Sequence, residues 1–327
     1  MIWFWIGYFV FVACLLALDL GVLNKGNKEP TLQSATAWTA GWVSLGLGFA
    51  IFVYAMYDNH WMGAGLAADG TVKLTGGDAA ITYLSAYLLE EALSVDNIFV
   101  ISLLFSQYRV EPKYQHRVLF WGIIGAVVFR VLMLTGGAWL VNSFDWVFYF
   151  FGAYLAYAGL KLFKNEEAGD APESPMDKSL VVRVLRKVVN ITDKPHEGKF
   201  RIDVGDGTRA LTSLAICLIA VELTDLVFAL DSIPAVLAIS NETFIMVTSN
   251  IFAIMGLRSL YFVLAGAMSK FHYLKYALAL LLILIGAKLI MHHHYKLPHL
   301  VSLTAIVVIL TGGVAASMIS TRRQQQH

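Results

Sequence analysis

Charged residues are scarce in this chain: Asp, Glu, Lys and Arg make up only 14% of its 327 residues, whereas apolar residues make up 58%. This composition excludes an ordinary soluble domain and indicates an integral membrane protein. The formal net charge is only +1, which argues against a nucleic-acid partner because such proteins carry a large basic excess. No basic segment precedes the first apolar run, so we expect no removable signal peptide.

Cysteine is also scarce, with one residue at Cys14 and one at Cys217. Both lie inside long apolar runs, so we expect neither a disulfide framework nor a thiolate metal cluster. The sequence motifs of enzymes are missing as well: there is no HExxH, no Ser-His-Asp set and no phosphate-binding glycine loop. We therefore do not expect an enzyme.

Apolar runs long enough to cross about 30 Å of hydrocarbon, which takes about 20 helical residues, fill most of the chain. Nine such runs cover residues 2–22, 34–56, 79–106, 116–141, 144–163, 209–238, 243–269, 272–291 and 299–319. The connections after the odd-numbered runs hold most of the basic residues, so we expect them on the cytoplasmic side, with the N-terminus outside and the C-terminus inside. The predicted fold class is an all-α polytopic membrane protein with about nine transmembrane helices.

The sixth run carries three carboxylates, at Glu222, Asp225 and Asp231. Each carboxylate near the middle of a spanning helix costs roughly 2.5 to 3.5 kcal/mol on insertion scales, so the three together require a function. Pro234 has no N–H, which frees the carbonyl oxygen of Leu230 close to Asp231. An interrupted helix beside buried carboxylates is typical of the cation sites of transporters.

The third and sixth runs share a pattern in which an acid is followed six positions later by an aspartate and a small polar residue. The matching residues are Glu90, Asp96 and Asn97 in the third run and Asp225, Asp231 and Ser232 in the sixth. The match continues with Arg130 and Arg258 deep in the fourth and seventh runs, and with Lys161 and Lys288 near the ends of the fifth and eighth. Since the two sets of runs should cross in opposite directions, we predict an inverted three-helix repeat. A duplicated scaffold without transport is the alternative.

This repeat divides the chain into five predicted parts. They are two helices and an outer loop at 1–78, the first repeat at 79–163, a cytoplasmic loop at 164–208, the second repeat at 209–291, and a last helix with a cytoplasmic tail at 292–327. Within the loop, 165–175 resembles a flexible linker, and 198–209 could form a short hairpin. Residues 179–191 fit either an amphipathic helix on the anionic inner leaflet or a solvated loop.

Acidic residues outnumber basic ones inside the predicted membrane region. The third and sixth runs hold six acids, and only two arginines, in the fourth and seventh runs, lie at similar depth. Protons or a bound cation must balance the difference. Carboxylates with neighbouring neutral oxygens suit Mn²⁺, Mg²⁺ or Ca²⁺ rather than copper or zinc. The predicted metal ligands are Glu90, Asp96, Asn97, Glu222, Asp225 and Asp231. Structural ion pairs are the alternative.

Several further polar residues have predicted roles around this site. We expect Arg130 and Arg258 to neutralise carboxylates rather than to bind an anion. Residues beside the site or on an ion path are predicted to include Asp19, Glu91, Ser232 and Asn250. Glu91 falls outside the repeat pattern, so simple pairing with an arginine is its alternative. The run His292, His293 and His294 fits a solvated loop better than a transition-metal site.

At these residues the chain resembles the TerC family of integral membrane proteins, most closely its Alx branch. The likeness covers nearly the whole chain and is most specific in EALSVDNIFV, VELTDLVFALDSIPA, TSNIFAIMGLRSLYF and LKYALALLLILIGAKL. It implies a multi-pass protein of the bacterial inner membrane that is associated with manganese export, with metal supply to extracytoplasmic enzymes and with tellurite resistance. For Alx-like members it also implies a link to alkaline conditions. Manganese as the particular ion comes from the resemblance alone.

The predicted function is therefore a secondary transporter that exports Mn²⁺ from the cytoplasm, with protons as the counter-ion. Two alternatives stay open. The first is a membrane scaffold that holds a structural ion and docks partner proteins through residues 164–208. The second is an ion channel.

Overall fold

The computed structural model describes residues 2–23, 31–67, 69–144, 146–164, 190–192, 198–205, 208–265, 274–291 and 298–324. The linker at 165–175, most of the segment 179–191 and the histidines at 292–294 lie outside these residues. The predictions for them therefore stay predictions.

Nine α-helices occur among the described residues, and they follow the predicted apolar runs closely. They are α1 (Ile2–Leu23), α2 (Leu32–Asp58), α3 (Gly76–Gln107), α4 (Pro112–Ser143), α5 (Trp146–Lys164), α6 (Ser213–Ile239), α7 (Thr243–Ala265), α8 (Leu274–Ile290) and α9 (His299–Gln324). Within this part of the chain, five helices are long and apolar enough to cross a membrane, namely α2, α4, α6, α7 and α9. The prediction of an all-α chain with several membrane-crossing helices is confirmed.

Threonines fix the starts of three helices by satisfying amides that have no partner within the helix. The side chains of Thr31, Thr75 and Thr212 accept from the N–H of the residue three positions later, at the starts of α2, α3 and α6. The acidic residues discussed below therefore lie on helices whose first turns are set by sequence.

The predicted start of the sixth run, residue 209, is wrong, because α6 begins at Ser213. The four residues Thr208–Leu211 instead form strand β2, which pairs antiparallel with β1 (Arg201–Gly205). The hydroxyl of Thr212 then donates to the carbonyls of Lys199 and Phe200 and holds the hairpin against the first turn of α6. The hairpin predicted at 198–209 is confirmed, with its second strand extending to Leu211.

The hairpin packs on the start of α4. Arg117 donates to the carbonyl oxygen of Gly198 at 2.6 Å, and its guanidinium lies 5.6 Å from the centre of the Phe200 ring. At the other end of the helices, Lys73 and Glu242 form an ion pair of 2.9 Å. Connections α3–α4 and α5–α6 therefore meet at one end, and connections α2–α3 and α6–α7 meet at the opposite end. This is the grouping of odd and even connections that the basic residues predict.

The direction of α4 relative to its neighbours follows from the contacts of its glycines and of Arg130. A Cβ built on Gly122 would lie 3.5 Å from Val221, and one on Gly137 would lie 3.2 Å from Leu237, so α4 and α6 run parallel. Ile123 shares a small buried cluster with Ile254 of α7, whereas Arg130, further along α4, contacts Asn250, which comes earlier on α7. Helices α4 and α7 are therefore antiparallel.

Helices α5 and α8 meet through their backbones along a surface that we call the glycine seam, made of Gly152, Gly159, Ala279 and Gly286. A Cβ on Gly152 would lie 2.8 Å from the carbonyl oxygen of Gly286, and one on Gly159 would lie 2.7 Å from that of Ala279. Close approach of this kind needs small residues on both helices. The order of the contacts shows that α5 and α8 run antiparallel.

Helix α6 continues through Pro234 to Ile239. The expected interruption of this helix beside Asp231 is therefore wrong. Proline removes one donor from the helix, but the flanking residues keep helical geometry and the helix is not divided into two halves.

Candidate ion site

A buried arginine at the middle of α4 organises the polar interior. The side chain of Arg130 is only 2% exposed, so it is removed from bulk solvent. Its position on α4 faces three other helices at once, namely α3, α6 and α7. An arginine can remain charged here only if protein oxygens replace its hydration shell.

Four oxygens from these three helices surround the guanidinium. Nη1 of Arg130 forms an ion pair with Glu90 of α3 and donates to Ser232 Oγ of α6 at 3.3 Å and to Asn250 Oδ1 of α7 at 3.1 Å. Nη2 donates to Asp225 Oδ1 of α6 at 3.4 Å. We call these five residues the Arg130 cluster. The predicted role of Arg130 in neutralising carboxylates agrees with these contacts.

The cluster leaves some of its hydrogen-bonding capacity unused. Glu90 Oε2, Asp225 Oδ2 and Arg130 Nε are buried and make no hydrogen bond within the described part of the chain. Buried polar atoms without a partner in a native interior require a reason, and a functional role in holding ions or protons is one such reason. Two carboxylates and one guanidinium also give the described cluster a net charge of −1 if all three groups are ionised.

Glu222 lies next to this cluster, one turn before Asp225 on α6. Its carboxylate packs against Gly125 of α4, where a built Cβ would collide with it. Its Oε2 is buried and has no hydrogen-bond partner among the described residues. A glycine at position 125 thus gives a third carboxylate room beside α4.

Glu91 faces a different part of the molecule, although it follows Glu90 directly. It accepts a hydrogen bond of 2.7 Å from the hydroxyl of Tyr87, which packs against Gly46 of α2. A Cβ on Gly256 of α7 would lie 3.7 Å from its Oε1. Within the described residues its partner is thus a neutral phenol, and it lies outside the Arg130 cluster.

The remaining predicted ligands are placed only in part. Asp96 lies on α3 and Asp231 on α6, each six residues after an acid of the Arg130 cluster, and thus about 9 Å further along its helix. The side chains of these two aspartates and of Asp19 lie outside the described part of the structure. Asn97 and Arg258 are buried, at 4% and 3% exposure. The ligand set therefore stays a prediction.

In the described part of the chain, no three Asp, Glu, His or Cys side chains lie close enough together to hold a metal ion. The described carboxylates are instead arranged around Arg130 and Gly125. Two residues of this region were not predicted. Ser94, whose buried Oγ has no hydrogen-bond partner in the described part of the chain, lies one turn after Glu90 on the same face of α3, and this spacing could have indicated it. Gly125 carries no comparable signal.

Comparison with known proteins places these helices in a family. The family model described as "Integral membrane protein TerC family" matches residues 75–325, which include α3 to α9 and every residue of the Arg130 cluster. The chain belongs to the TerC family. The resemblance predicted from its motifs is confirmed.

Relatives of this TerC protein match over nearly their whole length. It is 38% identical over 318 residues to the uncharacterized membrane protein STKORF319 of Myxococcus xanthus, covering 97% of this chain and 92% of the relative. It is 40% identical over 316 residues to an uncharacterized membrane protein of Rickettsia felis, covering 96% and 97%. It is 39% identical over 308 residues to the putative membrane-bound redox modulator Alx of Escherichia coli K12, covering 94% and 91%. No solved structure matches this TerC chain.

Proposed function

We propose that this TerC protein is a secondary transporter that exports a divalent metal ion, manganese in the first instance, from the cytoplasm in exchange for protons. The observation that carries the proposal is the pairing of Glu90 and Asp225 with Arg130, with a third carboxylate, Glu222, against Gly125 one turn before Asp225, in the interior of a multi-pass membrane protein. Carboxylates at this depth usually line an ion path or take part in a proton relay.

The charges support a divalent cargo. Three carboxylates and one guanidinium leave two negative charges when all are ionised, which one divalent cation or two protons would balance. The oxygens of Glu90, Asp225, Ser232 and Asn250 are of the hard type that Mn²⁺ and Mg²⁺ prefer. Alternation between a metal ion and protons on the same carboxylates is the chemical basis of antiport.

The helix directions support the inverted repeat that this proposal includes. Helices α4 and α7 are antiparallel, as are α5 and α8. The connection from Gln107 to Pro112 is short, and Glu90 and Arg130, at similar distances from it, form an ion pair, so α3 and α4 are antiparallel. Because α4 is parallel to α6, α3 and α6 are antiparallel too. Positions 152 and 159 of α5 correspond to positions 279 and 286 of α8 at a constant offset of 127 residues. The two seam contacts, Gly152–Gly286 and Gly159–Ala279, are therefore equivalent under this correspondence. Motion of one such repeat against the other would expose the site alternately to each side.

The basic residues indicate which end of the helices faces the cytoplasm. Arg109, Lys113 and Arg117 lie at the α3–α4 end, where the hairpin adds Arg201 and Arg209. By the positive-inside rule we place this end in the cytoplasm of a bacterial inner membrane, with the N-terminus outside and the C-terminus inside.

Transport assays in proteoliposomes test the proposal directly. We expect saturable uptake of radiolabelled Mn²⁺ that is accelerated by unlabelled Mn²⁺ on the opposite side and driven by a proton gradient. Asp231→Asn should abolish this flux. Asp69→Asn is the control, because Asp69 is an exposed carboxylate whose pKa is lowered by hydrogen bonds from Thr71 and which is therefore charged. Flux without acceleration from the opposite side would indicate a channel, and no flux would indicate a scaffold.

Gly125→Ala is expected to reduce Mn²⁺ flux several-fold with little loss of stability. The new methyl group would occupy the position of the Glu222 carboxylate, which is the end of a flexible side chain and can move away. Gly122→Ala is the matched control on the same helix, because its methyl group would meet Val221 at an ordinary 3.5 Å. Both variants would be compared for flux and thermal stability. Equal flux in the two would contradict the assignment of Glu222 to the ion path.

A further inference from the structure

The environment of Arg130 resembles the coordination shell of a metal ion. Two carboxylates, a hydroxyl and an amide carbonyl from three helices converge on one cationic group. These donor types are the ones that coordinate hard divalent cations. The guanidinium therefore occupies a place that would also suit the transported ion.

We propose that Arg130 is a tethered counter-cation, which fills the ion site when no metal is bound and leaves it when metal binds. This inference rests on the proposed function and adds a mechanism to it. This role of Arg130 explains why no three acids form a metal cluster among the described residues: the carboxylates of Glu90 and Asp225 are spaced around a guanidinium instead.

A carrier of this kind needs a counter-charge on its return step. After the metal has been released, the empty site must reorient within the low-dielectric interior, where uncompensated carboxylates are strongly unfavourable. Arg130 supplies a positive charge that cannot diffuse away and, unlike lysine, does not readily lose its proton. The metal-free carrier can then reorient without first binding a proton at every carboxylate.

The structure also offers a place for the displaced guanidinium. Nη2 of Arg130 already contacts Asp225 at 3.4 Å, and Glu222 lies one turn before Asp225 on α6. The carboxylate of Glu222 lies against Gly125, and its Oε2 is buried without a hydrogen-bond partner among the described residues. A change of the Arg130 side-chain rotamer that moves the guanidinium from Glu90 to Glu222 would free the oxygens of the cluster to bind the metal ion. The guanidinium would stay paired with a carboxylate.

The test separates two modes of transport in proteoliposomes. Mn²⁺ exchange, with Mn²⁺ on both sides, never requires the empty carrier to reorient, whereas net Mn²⁺ efflux does. We expect R130Q to retain exchange within about threefold of wild type, to bind Mn²⁺ about tenfold more tightly, and to lose net efflux by more than tenfold. R130K, whose ammonium carries the same charge but loses its proton more readily, should recover only part of the net efflux. R201Q, on the exposed hairpin, should behave as wild type in both modes.

A charge-rescue variant keeps the proposal testable if R130Q does not fold. The double variant E90Q/R130Q restores the net charge of the empty cluster. Both of its rates should fall because a proposed ligand is lost, but its ratio of net efflux to exchange should return to that of wild type. Equal loss of exchange and net efflux in folded R130Q, or no loss of either, would overturn the counter-cation role while leaving transport in place. Absence of both modes in the wild-type protein would instead overturn the proposed function and this inference with it.

Discussion

Glu90→Gln is expected to lower the free energy of unfolding by about 3 kcal/mol, because it removes one of the two carboxylates that pair with Arg130. Breaking a buried ion pair by removing one partner typically costs about 3 to 5 kcal/mol, since the remaining charge stays buried. We place the effect at the lower end because Asp225 still contacts the guanidinium and glutamine can accept a hydrogen bond. Unfolding in mixed micelles with a rising fraction of SDS, followed by tryptophan fluorescence, measures it.

The neighbouring residue provides a matched control. Glu91→Gln makes the same chemical change one position along α3, but its partner in the described structure is the Tyr87 hydroxyl. A neutral hydrogen bond contributes only about 1 kcal/mol, so the loss should be no larger than that. If the two variants lose equal stability, the Arg130 cluster does not hold Glu90 as an ion-paired carboxylate.

Gly286→Val is expected to destabilise the protein by about 3 kcal/mol, an effect of the same size that arises from packing. The first added carbon would lie 2.7 Å from the carbonyl oxygen of Gly152 and 2.8 Å from the amide nitrogen of Ala156. Both are backbone atoms of α5, so the helices must separate along the glycine seam. Overpacking of this kind costs about 1 to 3 kcal/mol when side chains can move, and here they cannot relieve the clash.

Gly312→Val tests whether position in the fold, rather than the loss of a helical glycine, causes this effect. Gly312 lies on α9, and a Cβ there would meet nothing within 4 Å. Its replacement should change stability by no more than about 0.5 kcal/mol. The two variants would be compared by their unfolding curves and by the amount of folded protein that elutes from size-exclusion chromatography. Equal behaviour would show that α5 and α8 do not depend on close backbone contact.

The helices were predictable because the bilayer constrains length and polarity strongly. The run 2–22 became Ile2–Leu23 and the run 34–56 became Leu32–Asp58 with small shifts at their ends. The start of α6 was less predictable, because the residues before it are also apolar enough to extend a run. Pairing of Thr208–Leu211 with β1 takes these residues out of the helix, and only the contact between distant segments decides this.

The site was predictable in its residues more than in its contacts. Helical spacing indicates that Glu90 and Arg130 lie at similar depth, because depth follows from position along a run. Spacing alone leaves open which oxygens surround Arg130, since the rotation of each helix is set by packing against the others. The convergence of Ser232 and Asn250 on one guanidinium therefore had to come from coordinates. So did the division of Glu90 and Glu91 between two faces of α3.

The glycine seam has a mechanical consequence for movement between the two halves of the chain. Along it the backbones of α5 and α8 lie in direct contact, and the side chains of Ile283 and Ile290 pack on Gly159 and Gly152, so the two helices are held together tightly. Around Arg130, by contrast, any displacement must break and remake hydrogen bonds in discrete steps. In the proposed transport cycle, the α5–α8 contact would stay closed as a pivot, while the hydrogen bonds among α3, α4, α6 and α7 would be exchanged.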